Sequence, residues 1–543
     1  MLRRLTTAVL LWAPLAPAAG SDACAVCHRA VFDSYRQTPM AASSGETGRA
    51  ATPESFAHAA FTHRPSGFRY RVYRNRQGTF VEFEKAADGS LHGTKALSYF
   101  VGSGAVARSY LLAADGFLYE APVAWYSAGS KWELAPGYER YGYPFLTRPA
   151  LPGCLACHAS FLDSVPGTQN RYRTPPFREG GVACERCHGP GEAHIAKMSS
   201  GDSEGGAAIV NPSKLDPGRR DAICAQCHLS GEVRVMRPGA DWQSYHPGDL
   251  LSDSLTVFVR SGGSPGLRVT SHVENLAQSA CRRASGDGLW CGTCHDPHAL
   301  PRAADRAAWF RRKCLGCHGA DACRETAVAR AARRDDCTAC HMPKNPVTDA
   351  EHVVYTDHSI PRRPRPPAAP PHQDAELAPF GGGPASARDL ALAYGITASR
   401  QGGAADLPRA TTLLEAAERS SPDDVEVLLY LAEIYRNGDR DDRASPLYRR
   451  AMGLDPAQVT ASVGLGAIHF QRGEYAEAIR LWEDALSKNS GLQLVRTNLA
   501  MAQWRAGDWR AAEASLEKAL ELSPGFQPAA DLLARLRQAE RPR

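Results

Sequence analysis

The chain has 543 residues, more than a single hydrophobic core organises, so two or three domains are expected. Charged residues at 22% and hydrophobic ones at 43% are ordinary for a globular protein. A formal charge of +5 is small for this length and gives no support to a nucleic-acid partner, which would need a concentrated basic face. Sixteen cysteines, however, do not suit an ordinary cytosolic enzyme, and their spacing has to be explained.

Residues 1–20 read MLRRLTTAVLLWAPLAPAAG. Arg3 and Arg4 open a positive start, an apolar run follows from Leu5 to Leu15, and Ala16-Pro17-Ala18 offers small residues for cleavage. This layout predicts a secretory signal peptide and an exported, periplasmic protein; the alternative is an uncleaved anchor. No other stretch approaches the ~20 apolar residues of a transmembrane helix, so no membrane span is expected after cleavage.

A first domain over 21–150 opens with Cys24, Cys27 and His28, followed by a long interval without the pattern. In it, FRYRVYRNRQGTFVEFEK alternates polar and apolar residues on either side of NRQG and predicts a β-hairpin. GFLYEAPVAWYS predicts further strand, giving a small mixed or β-rich module. Its aromatics Tyr99, Tyr110, Trp125 and Trp132 are expected in the core.

The second domain, 151–360, repeats the opening C-x-x-C-H pattern six times. The copies are Cys154/Cys157/His158, Cys184/Cys187/His188, Cys224/Cys227/His228, Cys291/Cys294/His295, Cys314/Cys317/His318 and Cys337/Cys340/His341. Zinc ribbons pair their knuckles in twos and need no histidine after each. Thioredoxin-like dithiols occur once per domain. Seven copies instead fit covalent haem c attachment, with two thiols forming thioethers to the porphyrin edge and the next imidazole reaching the iron as proximal ligand. Seven covalently bound haem c groups are therefore expected, supplying the apolar interior that these short, turn-rich segments lack. Cys281 and Cys323 are left over; a disulfide is the plain expectation in an oxidising compartment, and a thiolate ligand is the alternative.

Eleven histidines remain for the far side of the irons. His298, three residues after His295, can hardly reach around its own porphyrin, so as a ligand it would serve a neighbouring haem. His194 meets a looser version of the same constraint. CERCHGPGEAH, CAQCHLSGE, SHVENLAQSACRRASGDGLWCGTCHDPH, YTDHSIPR and YFVGSGAVARSYLLAADGFLYEAPVAWYS together resemble an exported multihaem cytochrome c family. That family is related to the electron carriers and hydroxylamine-oxidoreductase-like cytochromes of nitrogen metabolism, and its members often end in tetratricopeptide repeats. The resemblance implies His194, His272, His298, His352 and His358 as distal ligands. His63, in FTHRPSG, and Met40, in YRQTPMAAS, are added as further candidates. The nitrite-reducing relatives carry lysine in place of one motif histidine; all seven motifs here end in His, which speaks against that chemistry.

Residues 361–385 begin PRRPRPPAAPPHQ and predict a semi-rigid linker. From 386 to 543 the composition turns helical, with a 34-residue repeat. Leu431, Leu465 and Leu499 share that spacing, as do Ala432, Gly466 and Ala500; Ala444, Ala478 and Ala512; and Ala451, Ala485 and Ala519. This is the tetratricopeptide signature, with a degenerate extra repeat expected at about 388–421.

The expected architecture is multidomain: a haem-cored, mostly irregular/α multihaem cytochrome c with a small β-containing module, plus an all-α tetratricopeptide superhelix. The expected function is electron transfer through mostly bis-His haems, with redox partner proteins docked by the repeats and no catalytic residue assigned. The alternative is an oxidoreductase acting on a small nitrogen or sulfur species at one open iron, and a third possibility is a haem-stabilised adaptor.

Overall fold

The computed structural model describes residues 19–539, except 50–51, 88, 263–265, 320, 364–374 and 401. The apolar run of the expected signal peptide and the proline-dense centre of the expected linker lie outside the described residues.

Alternating side chains make Phe68–Asn75 and Gly78–Lys85 an antiparallel hairpin, in register from Phe68↔Lys85 to Asn75↔Gly78. Asn75 Oδ1 closes the turn by accepting from the backbone N–H groups of Gln77 and Gly78. Ala60–His63 and His92–Leu97 complete a four-stranded sheet. A second, six-stranded sheet is built on Ala107–Ala114 and Phe117–Tyr126. Phe117–Tyr126 is buried on both faces: Tyr119, Ala121, Val123 and Trp125 join one core, while Leu118 and Tyr126 point into others. Tyr99, Tyr110, Trp125 and Trp132 are all buried. Within this module Arg108 and Glu54 form an ion pair at 3.3 Å, and Tyr110 donates to Glu54 at 2.7 Å.

Past residue 150 the elements become short. Between Leu267 and Val353 not one described apolar side chain is buried; only Ser271, Glu274, Asn275 and Ser279 are. A segment of this length without an apolar interior does not offset the entropy of ordering its own backbone.

The C-terminal region is helical from Ala387–Ala398 to Gln527–Ala539. Helix pairs Val425–Asn437/Asp441–Leu454, Val459–Gln471/Tyr475–Lys488 and Gln493–Arg505/Trp509–Leu522 form the repeats, preceded by Ala387–Ala398 and Leu407–Ser420. The small residues at 34-residue spacing sit where helices touch: Ala432, Ala444, Ala451, Ala478, Ala485, Ala500, Ala512 and Ala519 are fully buried. A Cβ at Gly466 would lie 2.5 Å from Trp482 Nε1, so only glycine fits that crossing.

This superhelix is clamped to the rest of the chain at two places. At one end, Leu377–Pro379 pairs with Leu255–Arg260, which pairs with Val233–Met236. Val233, Val235 and Phe258 from that sheet share a core with Leu392, Tyr394 and Leu414 of the first two helices. Arg237–Asp389 at 2.6 Å and Arg260–Asp406 at 2.5 Å flank it. At the other end, the Tyr119 and Ser490 hydroxyls meet at 2.9 Å, Thr147 donates to Gln493 and Phe526 packs on Tyr143. No helix among the described residues is long and apolar enough to cross a membrane.

Candidate functional site

A C-x-x-C-H motif works only if both thiols and the imidazole leave one turn together. Helical geometry does this, because residues three and four apart share a face. The histidine amide donates to the first cysteine's carbonyl at His28–Cys24 (2.9 Å), His188–Cys184 (3.0 Å), His295–Cys291 (2.9 Å) and His318–Cys314 (3.0 Å). At Pro217–His228 and Cys337–His341 the whole motif is helical.

The motifs are not independent. Cys24 lies within hydrogen-bonding reach of Cys184, Cys157 of Cys227, Cys224 of Cys291 and Cys314 of Cys337. Burial pushes the Cys187 thiol up to about 11. Cys281 and Cys323 are free thiols, so the disulfide expected between them is not formed; Cys281 lies near Cys294 and Cys314, and Cys323 near Cys337.

The second thiol of the seventh motif, read from the sequence as one of two that bond a porphyrin edge, has a side-chain partner here. Cys340 Sγ accepts from Arg333 Nη1 at 3.1 Å. The physical reason is local. A turn closed by the Asp336 amide on the Arg333 carbonyl, at 3.1 Å, doubles the chain back just before the motif helix and returns the guanidinium to the Cys340 thiol. Arg333 is exposed, so its side chain can swing into solvent, as a thioether at Cys340 requires.

Histidines from distant parts of the sequence face one another. His28 and His194 have ring centroids 6.3 Å apart, with planes within 16° of each other. His188 and His298 are 5.8 Å apart at 11°, and His295 and His358 are 6.3 Å apart at 34°. His272 lies 4.9 Å from both His228 and His358. Two imidazoles sharing one metal through bonds of about 2 Å have centroids about 6 Å apart, which the first three pairs match.

The ring orientations are set by backbone carbonyls. Nδ1 of His188 meets Val210 O at 2.8 Å, and Nδ1 of His194 meets Gly205 O at 2.8 Å. His341 and His358 bond in the same way to Pro361 O and Thr356 O. Each bond leaves Nε2 as the free ligand atom, as metal-bound histidines require. Burial pushes His228 down to about 4 and His272 to about 2, and it also lowers His158. All three are thus neutral near pH 7, with a lone pair to offer.

The other candidates lie elsewhere. His352 Nε2 is 2.5 Å from Glu133, and its Nδ1 faces Lys131. His63 sits on Ala60–His63 with its Nδ1 2.8 Å from Ser66 Oγ. Met40 follows the first motif, but Ser43 Oγ ties its carbonyl to that of His158, the second motif's histidine. No described imidazole faces the rings of His158, His318 or His341.

The residues fit a large apolar group carrying a metal. Nδ1 atoms of His158, His228 and His272 are buried without a partner, half-buried thiols of different motifs adjoin one another, and between Leu267 and Val353 no described apolar side chain is buried. One group was not legible in advance. Glu185, inside the third motif, accepts from the backbone N–H groups of Ala19, Gly20 and Gly191 and fastens the start of the described chain to it. Its partners are backbone donors, which leave no trace in residue identity.

Comparison with known families supports a cytochrome c-type domain joined to tetratricopeptide repeats. The family model for cytochrome c554 and c-prime matches residues 144–189, spanning the second and third motifs, and so implies covalently bound haem c. Tetratricopeptide-repeat models match 398–458, 438–491 and 469–536. No curated protein matches the chain in sequence. Similar solved structures include a crystal structure of MamA, at 22% identity over 25% of this chain and 78% of that one, TM-score 0.24. A second MamA crystal structure shares 21% identity over 27% of this chain and 81% of that one, TM-score 0.25. The first tetratricopeptide domain of Spaghetti, bound to an HSP90 peptide, shares 22% over 21% and 91%, TM-score 0.21.

Proposed function

We propose that the protein is an exported heptahaem electron carrier. Its four facing histidines, His194, His272, His298 and His358, serve as second ligands to the irons of His28, His228, His188 and His295. The observation that carries this is the set of imidazole pairs brought together across up to 166 residues, with Nδ1 tied back at His188, His194 and His358. Bound haem c supplies a one-electron couple at each iron. The chain's own part is to fix each imidazole, to keep it neutral by burial, and to hold neighbouring motifs in contact through their thiols. The adjoining thiols support neighbouring places for motifs one and three, two and four, four and five, and six and seven. The repeats supply a protein-interaction scaffold, and docking of a redox partner there is part of the proposal.

Intact-mass measurement of the exported protein tests the count: the expected result is the mature chain plus seven haem units, and a bare polypeptide overturns it. Electron paramagnetic resonance tests the ligands, with low-spin signals expected for the irons of His28, His188, His228 and His295.

A second function is favoured by one observation, that no described imidazole faces His158, whose Nδ1 is buried without a partner in the family-matched segment. An open iron there would bind a small substrate. Carbon monoxide uptake by the reduced protein that falls by one equivalent when His158 is replaced is the expected sign; uptake that is absent, or unchanged by that replacement, excludes it.

A further inference from the structure

The chain's net charge of +5 conceals its distribution. Residues 301–345 hold ten Lys/Arg and five Asp/Glu, leaving 53 of each sign in the rest of the chain. The whole formal excess sits in one 45-residue stretch, the one carrying the sixth and seventh motifs. Within it, among the described residues, only Arg302 and Arg330 meet a carboxylate. Arg306, Arg312, Lys313, Arg324, Arg333 and Arg334 are exposed and meet none, Arg333 reaching the Cys340 thiol instead.

Haem propionates do not cancel this contrast. A ferric haem with its propionates adds roughly one net negative charge. Two such groups leave the 301–345 lobe positive, while five make the remainder of the molecule negative. The lobe also brings its motifs to the surface: Cys317 and His318 are exposed, and Cys314 adjoins Cys337. Val328, 81% exposed, and Leu300 just before its first residue, 53% exposed, give it apolar contact points beside the cations.

We infer that the 301–345 lobe is the electron-exchange face, docking an acidic redox protein whose negative rim surrounds its own cofactor. This rests on the haem-bearing role proposed above for motifs six and seven, and it assigns a second, acidic redox partner to this lobe beside the one proposed for the repeats. A protein is favoured over an anionic lipid surface because the cations surround two cofactor motifs. Charge complementarity at such a face steers encounter and raises the association rate, and salt screens it.

The test is stopped-flow reduction of the oxidised holoprotein by two probes, an acidic flavodoxin hydroquinone and the neutral lumiflavin semiquinone. The flavodoxin rate is expected to fall about tenfold as salt rises from ~10 to ~200 mM. Two independent variants, R306E/R324E/R334E and R312E/K313E, are each expected to lower the low-salt flavodoxin rate several-fold and flatten the salt dependence. The lumiflavin rate should hold in both. Unchanged flavodoxin rates overturn the inference. So does an equal loss in R505E/R510E on the repeats, or charge-sensitive binding to phosphatidylglycerol vesicles without a change in flavodoxin rate. A protein that neither probe reduces and that carries no haem mass overturns the haem-bearing role itself, a distinguishable failure.

Discussion

Glu54 and Arg108 show what one buried charge demands. Both side chains are less than 5% exposed, and Glu54 also accepts from Tyr110. Glu54→Ala takes the counter-charge from a buried guanidinium that also donates to the Gly102 and Ser103 carbonyls, so a loss of about 3–5 kcal/mol is expected in urea unfolding. A loss under about 1 kcal/mol would mean that the pair is not a structural element. At the haem motifs, His194→Ala removes one half of the His28 pair. One additional equivalent of carbon monoxide binding to the reduced protein is expected, with the other low-spin signals intact. Glu433 provides a pH test within the repeats. Burial raises its carboxyl above the usual range, against the opposing pull of Arg436. A carboxyl raised in the fold contributes stability that is full below its unfolded value and lost as pH rises through the folded one. Glu433→Gln should therefore raise Tm near pH 7.5 and lose that advantage near about pH 4; an equal effect at both would refute the assignment.

Local patterns carried the individual elements. The hairpin at NRQG, the motif turns and the repeats were legible because each depends on residues within one turn or one repeat of each other. At Gly466 the pattern has a direct cause: Trp482 occupies the space a side chain would take. Gly466→Val is expected to cost about 1–3 kcal/mol by overpacking, measured by chemical unfolding of the full chain. The contact between Arg333 and Cys340 was not legible, although only seven residues separate them, because it depends on the backbone turn between them and not on either residue's type. Distal-ligand partners were also less legible. His298 was expected to serve a neighbouring haem, and its ring does face His188 of the third motif, but nothing local names that motif. His352 shares the resemblance that singled out His358, yet it meets Glu133, a contact made across the tertiary fold.

In the whole molecule, the cytochrome part and the superhelix share structure. The sheet residues Val233, Val235 and Phe258 bury against the first repeat helices. Removing 386–543 would expose them, each side chain costing about 1.5–3 kcal/mol. Truncation is thus expected to lower the unfolding midpoint of the cytochrome part as well as any partner binding, which calorimetry can read. Production without haem attachment gives the complementary result: 268–352 should be cut rapidly by protease while the helices beyond 386 survive. Equal resistance in both regions would show that the cofactors are not the interior.

The amino-acid sequence by itself determined the attachment chemistry and the repeat architecture. Thiol–thiol–imidazole spacing and the 34-residue period are short-range properties, written in residue identity. Only the tertiary structure decided which histidines face each other, where Met40, His63 and His352 lie, and how the superhelix is fastened to the sheets. Most of those outcomes depend on contacts between residues tens to hundreds of positions apart and on backbone carbonyls, which every residue carries alike and no residue type announces.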